Sequence, residues 1–145
     1  MNILLALHNL NRWIVVVLII VALVRAYSGW LQRKSWMDMD RRASLFTTIA
    51  LDVQFLLGLI LYIVNWLPLW SDVGAVMRTP VIRLFVLEHP FYGLLAVIIA
   101  HIGSSRAKKA ADDLGKHKAI AIFFSIVVLL LIILIPWSRP LLPGF

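Results

Sequence analysis

Four apolar runs, each long enough to cross a bilayer, constrain this chain more than any other feature. They lie at about residues 3–27, 43–67, 81–105 and 119–137. The hydrocarbon core is about 30 Å thick and a helix rises about 1.5 Å per residue, so about 20 apolar residues span it. A helix satisfies its own backbone hydrogen bonds in lipid, where water cannot. The expected fold class is therefore all-α: an integral membrane four-helix transmembrane bundle, with residues 1–145 forming a single domain. Composition agrees, with 62% hydrophobic and 14% charged residues, against about a quarter charged in a soluble domain.

A net charge of +7 would suggest nucleic acid in a soluble protein, but here the basic residues sit in short loops beside the spans. Arg25, Arg33, Lys34, Arg41 and Arg42 follow the first span, and Arg106, Lys108, Lys109, Lys116 and Lys118 follow the third. The opposite side has Arg78, Arg83 and Arg139. Basic loops stay cytoplasmic, so the expected topology is multi-pass in a bacterial inner membrane with both termini outside. The expected partners are the lipid bilayer and other membrane subunits or a second copy, not nucleic acid. Without cysteine there is no disulfide, thiolate metal site, iron–sulfur cluster or covalently attached haem. The N-terminus reads as a span rather than a cleaved signal: it lacks a basic leader, and His8 to Arg12 interrupts its apolar run.

Within the first span, Leu7-His8-Asn9-Leu10-Asn11-Arg12-Trp13 places ionisable groups at membrane depth, where they are expensive and mark working sites. Leu87-Glu88-His89-Pro90 does the same in the third. His8 lies seventeen residues before Arg25, and His89 seventeen before Arg106. Each histidine-bearing span leads into a basic loop and a return span that closes on tryptophan, Trp66 or Trp137. The pattern suggests two repeated helical hairpins related by an axis along the membrane normal, although any four-span chain with cytoplasmic basic loops shares much of it. Spans one and three run the same way, so both histidines lie about 25 Å from the basic boundary, at one depth.

Two imidazoles at one depth on different helices can supply both axial ligands of one b-type haem. The bland alternative is that His8 and His89 bond to carbonyls or neighbouring side chains. Arg12, one turn from His8, is placed to pair with a haem propionate or with Glu88; Arg83 and Arg78 are further propionate candidates. His101 shares its depth with no other histidine, which argues against a second haem, and His117 in Lys-His-Lys reads as an interfacial charge. Asp52, with Gln54, is a candidate proton or quinone contact; otherwise it is a carboxyl joining helices, with Thr48 as its nearest partner. Asn9 and Asn11 read as interhelical hydrogen-bonders. Pro90 removes a backbone bond that its neighbours must make good. No phosphate loop, zinc motif or nucleophile elbow is present.

At His8, Arg12-Trp13 and Glu88-His89 the chain resembles small four-helix bacterial membrane proteins described as cytochrome b-like. The shared pattern is H-x3-R-W in the first span, Q-x3-G (Gln54 to Gly58) in the second and E-H in the third. A basic loop like that from Arg106 to Lys118 and a closing Pro136-Trp137 are also similar. The resemblance implies one haem b held by His8 and His89. More distantly the plan is similar to the cytochrome b561-type electron carriers, from which this chain departs by lacking a second histidine pair.

Two functions follow as expectations. One is a single-haem cytochrome near the outer face, carrying electrons between the quinol pool and an outer-face acceptor, with haem and a quinone as ligands. The other is a non-redox or pigment-binding accessory subunit of a respiratory or photosynthetic membrane complex.

Overall fold

The computed structural model describes residues 3–137, so the tail that begins at Ser138, with Arg139, lies outside the described residues. The elements are α1 (Ile3–Leu31), α2 (Asp38–Asn65), a 3₁₀ turn (Leu67–Asp72), a short α3 (Val73–Arg78), α4 (Pro80–Lys109) and α5 (Asp113–Leu134). Helices α1, α2, α4 and α5 are long and apolar enough to cross a membrane, the build of a multi-pass membrane protein. They form an all-α four-helix bundle in which each packs on its neighbours in the cyclic order α1, α2, α4, α5. Helices α1 and α4, which carry His8 and His89, therefore stand on a diagonal.

The helices run past the expected boundaries at the basic end because packing continues there. Ala22, Ala26 and Gly29 recur every three or four residues on the buried face of α1, which carries that helix beyond Arg25 to Leu31. On α4 the buried stripe is Ala96, Ala100, Gly103 and Ala107, small residues that let backbones approach where lipid offers no hydrophobic drive. Phe124, Ile120 and Val127 of α5 fill the space between them. Short loops then need explicit caps. The Asp40 carboxylate accepts the Met37 N–H at 2.8 Å, and the Asp112 carboxylate accepts the Gly115 N–H at 2.7 Å, satisfying donors that a helix start leaves open.

Packing is unequal along the bundle. Among the described residues, every fully buried one except Val76 and Val86 lies between the basic end and the level of Val15, Leu51, Ala96 and Val127. The opposite half, which holds His8 and His89, carries larger and only partly buried side chains.

The segment between α2 and α4, expected as a loop over about residues 71–80, is instead the 3₁₀ turn followed by α3. Asp72 starts α3 by accepting the Ala75 N–H at 2.8 Å. Trp70 donates from its indole to the Tyr62 hydroxyl at 2.6 Å, which folds the turn back onto α2.

Candidate functional site

The site begins with how Pro90 is accommodated. Proline has no N–H to give, and α4 meets this with a π turn over Leu84–Glu88, where the His89 N–H reaches back to the Leu84 carbonyl. Such single-turn insertions widen a helix and concentrate at functional positions. Widening also places side chains five residues apart on one face, and Arg83 Nε meets Glu88 Oε1 at 2.8 Å. Glu88 is thus held by Arg83 of its own helix, where pairing with Arg12 was one expectation.

The depth count holds across the diagonal: the His8 and His89 ring centres are 6.3 Å apart, with their planes inclined by 57°. Each ring is oriented by the return helix of its own hairpin. Asn11 Nδ2 donates to the Ala50 carbonyl and to Gln54 Oε1, both at 2.9 Å, which turns the Gln54 amide NH2 toward His8 Nε2 at 3.2 Å. An NH2 group only donates, so His8 Nε2 accepts and the ring proton sits on Nδ1. That Nδ1 is buried and has no hydrogen-bond partner among the described residues. A Cβ on Gly58 would stand 3.0 Å from His8 Cε1, so glycine is what lets the Cε1 edge of the imidazole come this close to α2.

His89 is fixed from α5. Its Nδ1 lies 3.1 Å from the Leu134 carbonyl; a carbonyl only accepts, so Nδ1 carries the proton and Nε2 the lone pair. Pro136 prepares that acceptor by ending α5 at Leu134. The residue before it, Ile135, is extended at φ −67, ψ 123, as a residue preceding proline must be. The Ile132 carbonyl, which loses its helical donor to Pro136, is taken by the Trp137 indole at 2.9 Å. Phe85 lies 5.9 Å from His89 and stacks on Trp66 at 5.0 Å, walling that end with aromatic rings.

The same tautomer therefore occurs twice, each imidazole presenting Nε2 as an acceptor. Two acceptor nitrogens cannot hydrogen-bond to one another. The arrangement also follows the proposed repeat: a first-span histidine is oriented by the return span in both hairpins.

Several expected roles move. Gln54 and Asp52 do not form one contact, since residues two apart point to different sides of a helix. Gln54 faces His8, whereas the Asp52 carboxylate meets His101 Nε2 of α4 at 2.8 Å on the outside of the bundle. The Asp52 carboxyl does join helices, with His101 in place of Thr48, whose hydroxyl donates to the Leu45 carbonyl. Arg12 lies over the Trp13 ring at 5.8 Å and borders a cavity of about 180 Å³ between α1 and α5. Arg83 is engaged by Glu88, and Arg78 folds over Gly74 of its own short helix.

His117 was misread as an interfacial charge. It is 1% exposed, packed against Gly29 and, edge-on, against Trp36 at 4.9 Å, with Nε2 3.4 Å from the Ser35 carbonyl. The signal was present: His117, Ile120, Ala121, Phe124 and Val127 recur at helical spacing on one face, which turns Lys116 and Lys118 outward and His117 in. Among the described residues no group of three or more His, Asp or Glu side chains could by itself hold a metal ion. Compared with known proteins, the chain matches no family model, no curated protein and no solved structure.

Proposed function

We propose that this chain is a membrane-embedded b-type cytochrome carrying one haem on His8 and His89. In this reading it moves electrons between a quinol pool and an acceptor on the histidine side, alone or within a larger complex. The observation that carries the reading is the 6.3 Å separation of two imidazoles on diagonal spans. An iron bonded to two imidazole nitrogens at about 2 Å each sets the ring centres about 6 Å apart. The His89 tautomer fits as well, since a ligating histidine donates its other N–H to a carbonyl or similar group and bonds the metal through the lone pair. His89 has that partner in Leu134. At His8 the Nε2 lone pair is taken by the Gln54 NH2, which must turn away for iron to bond there, and Nδ1–H has no such acceptor among the described residues. The lighter packing of this half, with Gly58 beneath His8, suits a flat group.

Bound haem would supply a one-electron couple. Around it, His8 and His89 would hold the iron, Arg12 would give a cation one turn from His8 for a propionate, and the Trp66–Phe85 stack would exclude water. The orientation adopted is the one in which both basic loops are cytoplasmic and both termini periplasmic, in a bacterial inner membrane. A quinone contact falls to Asp52 with His101, since Gln54 serves His8.

One observation favours the accessory-subunit reading. The Asp52–His101 pair lies on the bundle's outside, with side chains 40% and 54% exposed, and polar groups facing lipid are costly. A neighbouring subunit, a second copy or a quinone headgroup would cover it. Haem and subunit membership are compatible.

The test is a reduced-minus-oxidised visible spectrum of protein expressed with ample haem. Wild type is expected to show a b-type α-band, absent from both His8→Ala and His89→Ala. Gln54→Leu, which removes the donor that occupies the His8 Nε2 lone pair, is expected to keep the band. A colourless wild type with intact helical circular dichroism would sink the cytochrome and leave the subunit reading.

A further inference from the structure

The face of α4 and α5 at the basic end presents a groove apart from the His8–His89 pair; His101, which meets Asp52, also lines it. Its volume is about 980 Å³, within the range of small-molecule sites, and it is open along one side. The wall toward the bilayer is apolar, from Ile98 and Ile102 of α4 and Ile122 of α5; the rim carries Arg106, Lys109 and Lys118, with the Ser105 hydroxyl beside them. No acidic residue lines it. Among the described residues no carboxylate lies within ion-pairing distance of those three cations, whereas Arg25, Arg41, Arg42 and Lys116 at the same end each have one. Two of the three are steadied by aromatic rings: Arg106 lies 5.7 Å from the Phe123 ring centre and Lys118 5.8 Å from that of Trp30.

We propose that this groove binds an anionic phospholipid, with its phosphate on Arg106, Lys109 and Lys118 and an acyl chain along Ile98, Ile102 and Ile122. The assignment rests on charge complementarity at the depth where it matters. Unmatched cations at a helix boundary face the headgroup layer, and basic pockets between spans at the cytoplasmic side recognise acidic headgroups. The furrow continues from them toward the membrane interior, which distinguishes a lipid from a free anion. It is independent of whether His8 and His89 hold haem.

The experiment is native mass spectrometry of the delipidated full-length protein in detergent, titrated with phosphatidylglycerol or phosphatidylcholine. Phosphatidylglycerol is expected to remain bound and phosphatidylcholine to dissociate. Arg106→Ala and Lys118→Ala are each expected to weaken phosphatidylglycerol about fivefold, and Arg106→Lys to restore it in large part. Ile122→Trp, which fills the furrow and keeps every charge, is expected to lower binding similarly. Arg33→Gly removes one charge from the other basic loop at a position where φ is 51°, which glycine adopts without strain; it is expected to leave binding unchanged. Equal binding of the two lipids, an equal loss in Arg33→Gly, or protection by glycerol phosphate matching that of the lipid would overturn the proposal.

Discussion

Gly103→Val is expected to cost about 3 kcal/mol, at the upper end for overpacking a close contact. A Cβ at Gly103 would stand 2.5 Å from the Phe123 Cβ. That atom is tied to the α5 backbone and cannot swing aside as a side-chain tip would, so α4 and α5 must separate. Separation loosens the contacts of Ala100 and Ala121, both 0% exposed, along the tightest seam of the bundle. Thermal unfolding in one detergent is expected to fall by about 10 °C, and Gly103→Ala to fall between wild type and valine. Unchanged melting in both would mean that the helices do not approach this closely in the membrane protein.

Asp40→Ala is the second large effect, about 2 kcal/mol. One carboxylate oxygen takes Arg25 Nε at 2.8 Å and the other the Met37 N–H at 2.8 Å, so Asp40 both ties α2 to α1 and caps α2. Losing a cap costs about 1 kcal/mol. Stripping the partner from a buried charge costs about 3 kcal/mol or more, but the Arg25 side chain is 35% exposed and can turn to water or headgroups, which reduces that share. A double-mutant cycle with Arg25→Leu separates the two contributions. Coupling of about 1 kcal/mol between them is expected; strict additivity would leave Asp40 as a cap alone. Among the described residues the second hairpin has no such pair, and Arg106 rests on Phe123 instead. The two hairpins thus carry different fastenings at their basic turns.

The four long apolar helices and the equal depth of the two histidines were legible in the chain because each follows from one-dimensional rules. Hydropathy over a bilayer's length defines a span, and a constant rise per residue converts seventeen residues into a depth. His117 shows a place where the same kind of rule was present but masked. Its neighbours Lys116 and Lys118 suggested a charge run, while the helical period from His117 to Val127 placed it among the apolar residues. Asp52 and Gln54 show the reverse error: nearness in sequence grouped two side chains that helix geometry sends to different partners.

By itself the sequence determined that four helices are long and apolar enough to cross a membrane, that their basic turns share one end, and that His8 and His89 lie at one level. It could do so because the bilayer imposes a length and a polarity on every span separately. Only the tertiary structure decided that α1 and α4 stand on a diagonal, that Gln54 and Leu134 orient the two imidazoles, and that Arg83 engages Glu88. Those outcomes depend on which faces of different helices meet. That meeting is set by where small residues such as Gly29, Gly58 and Gly103 let backbones or rings come close, and by how Pro90 and Pro136 redirect hydrogen bonds across helices.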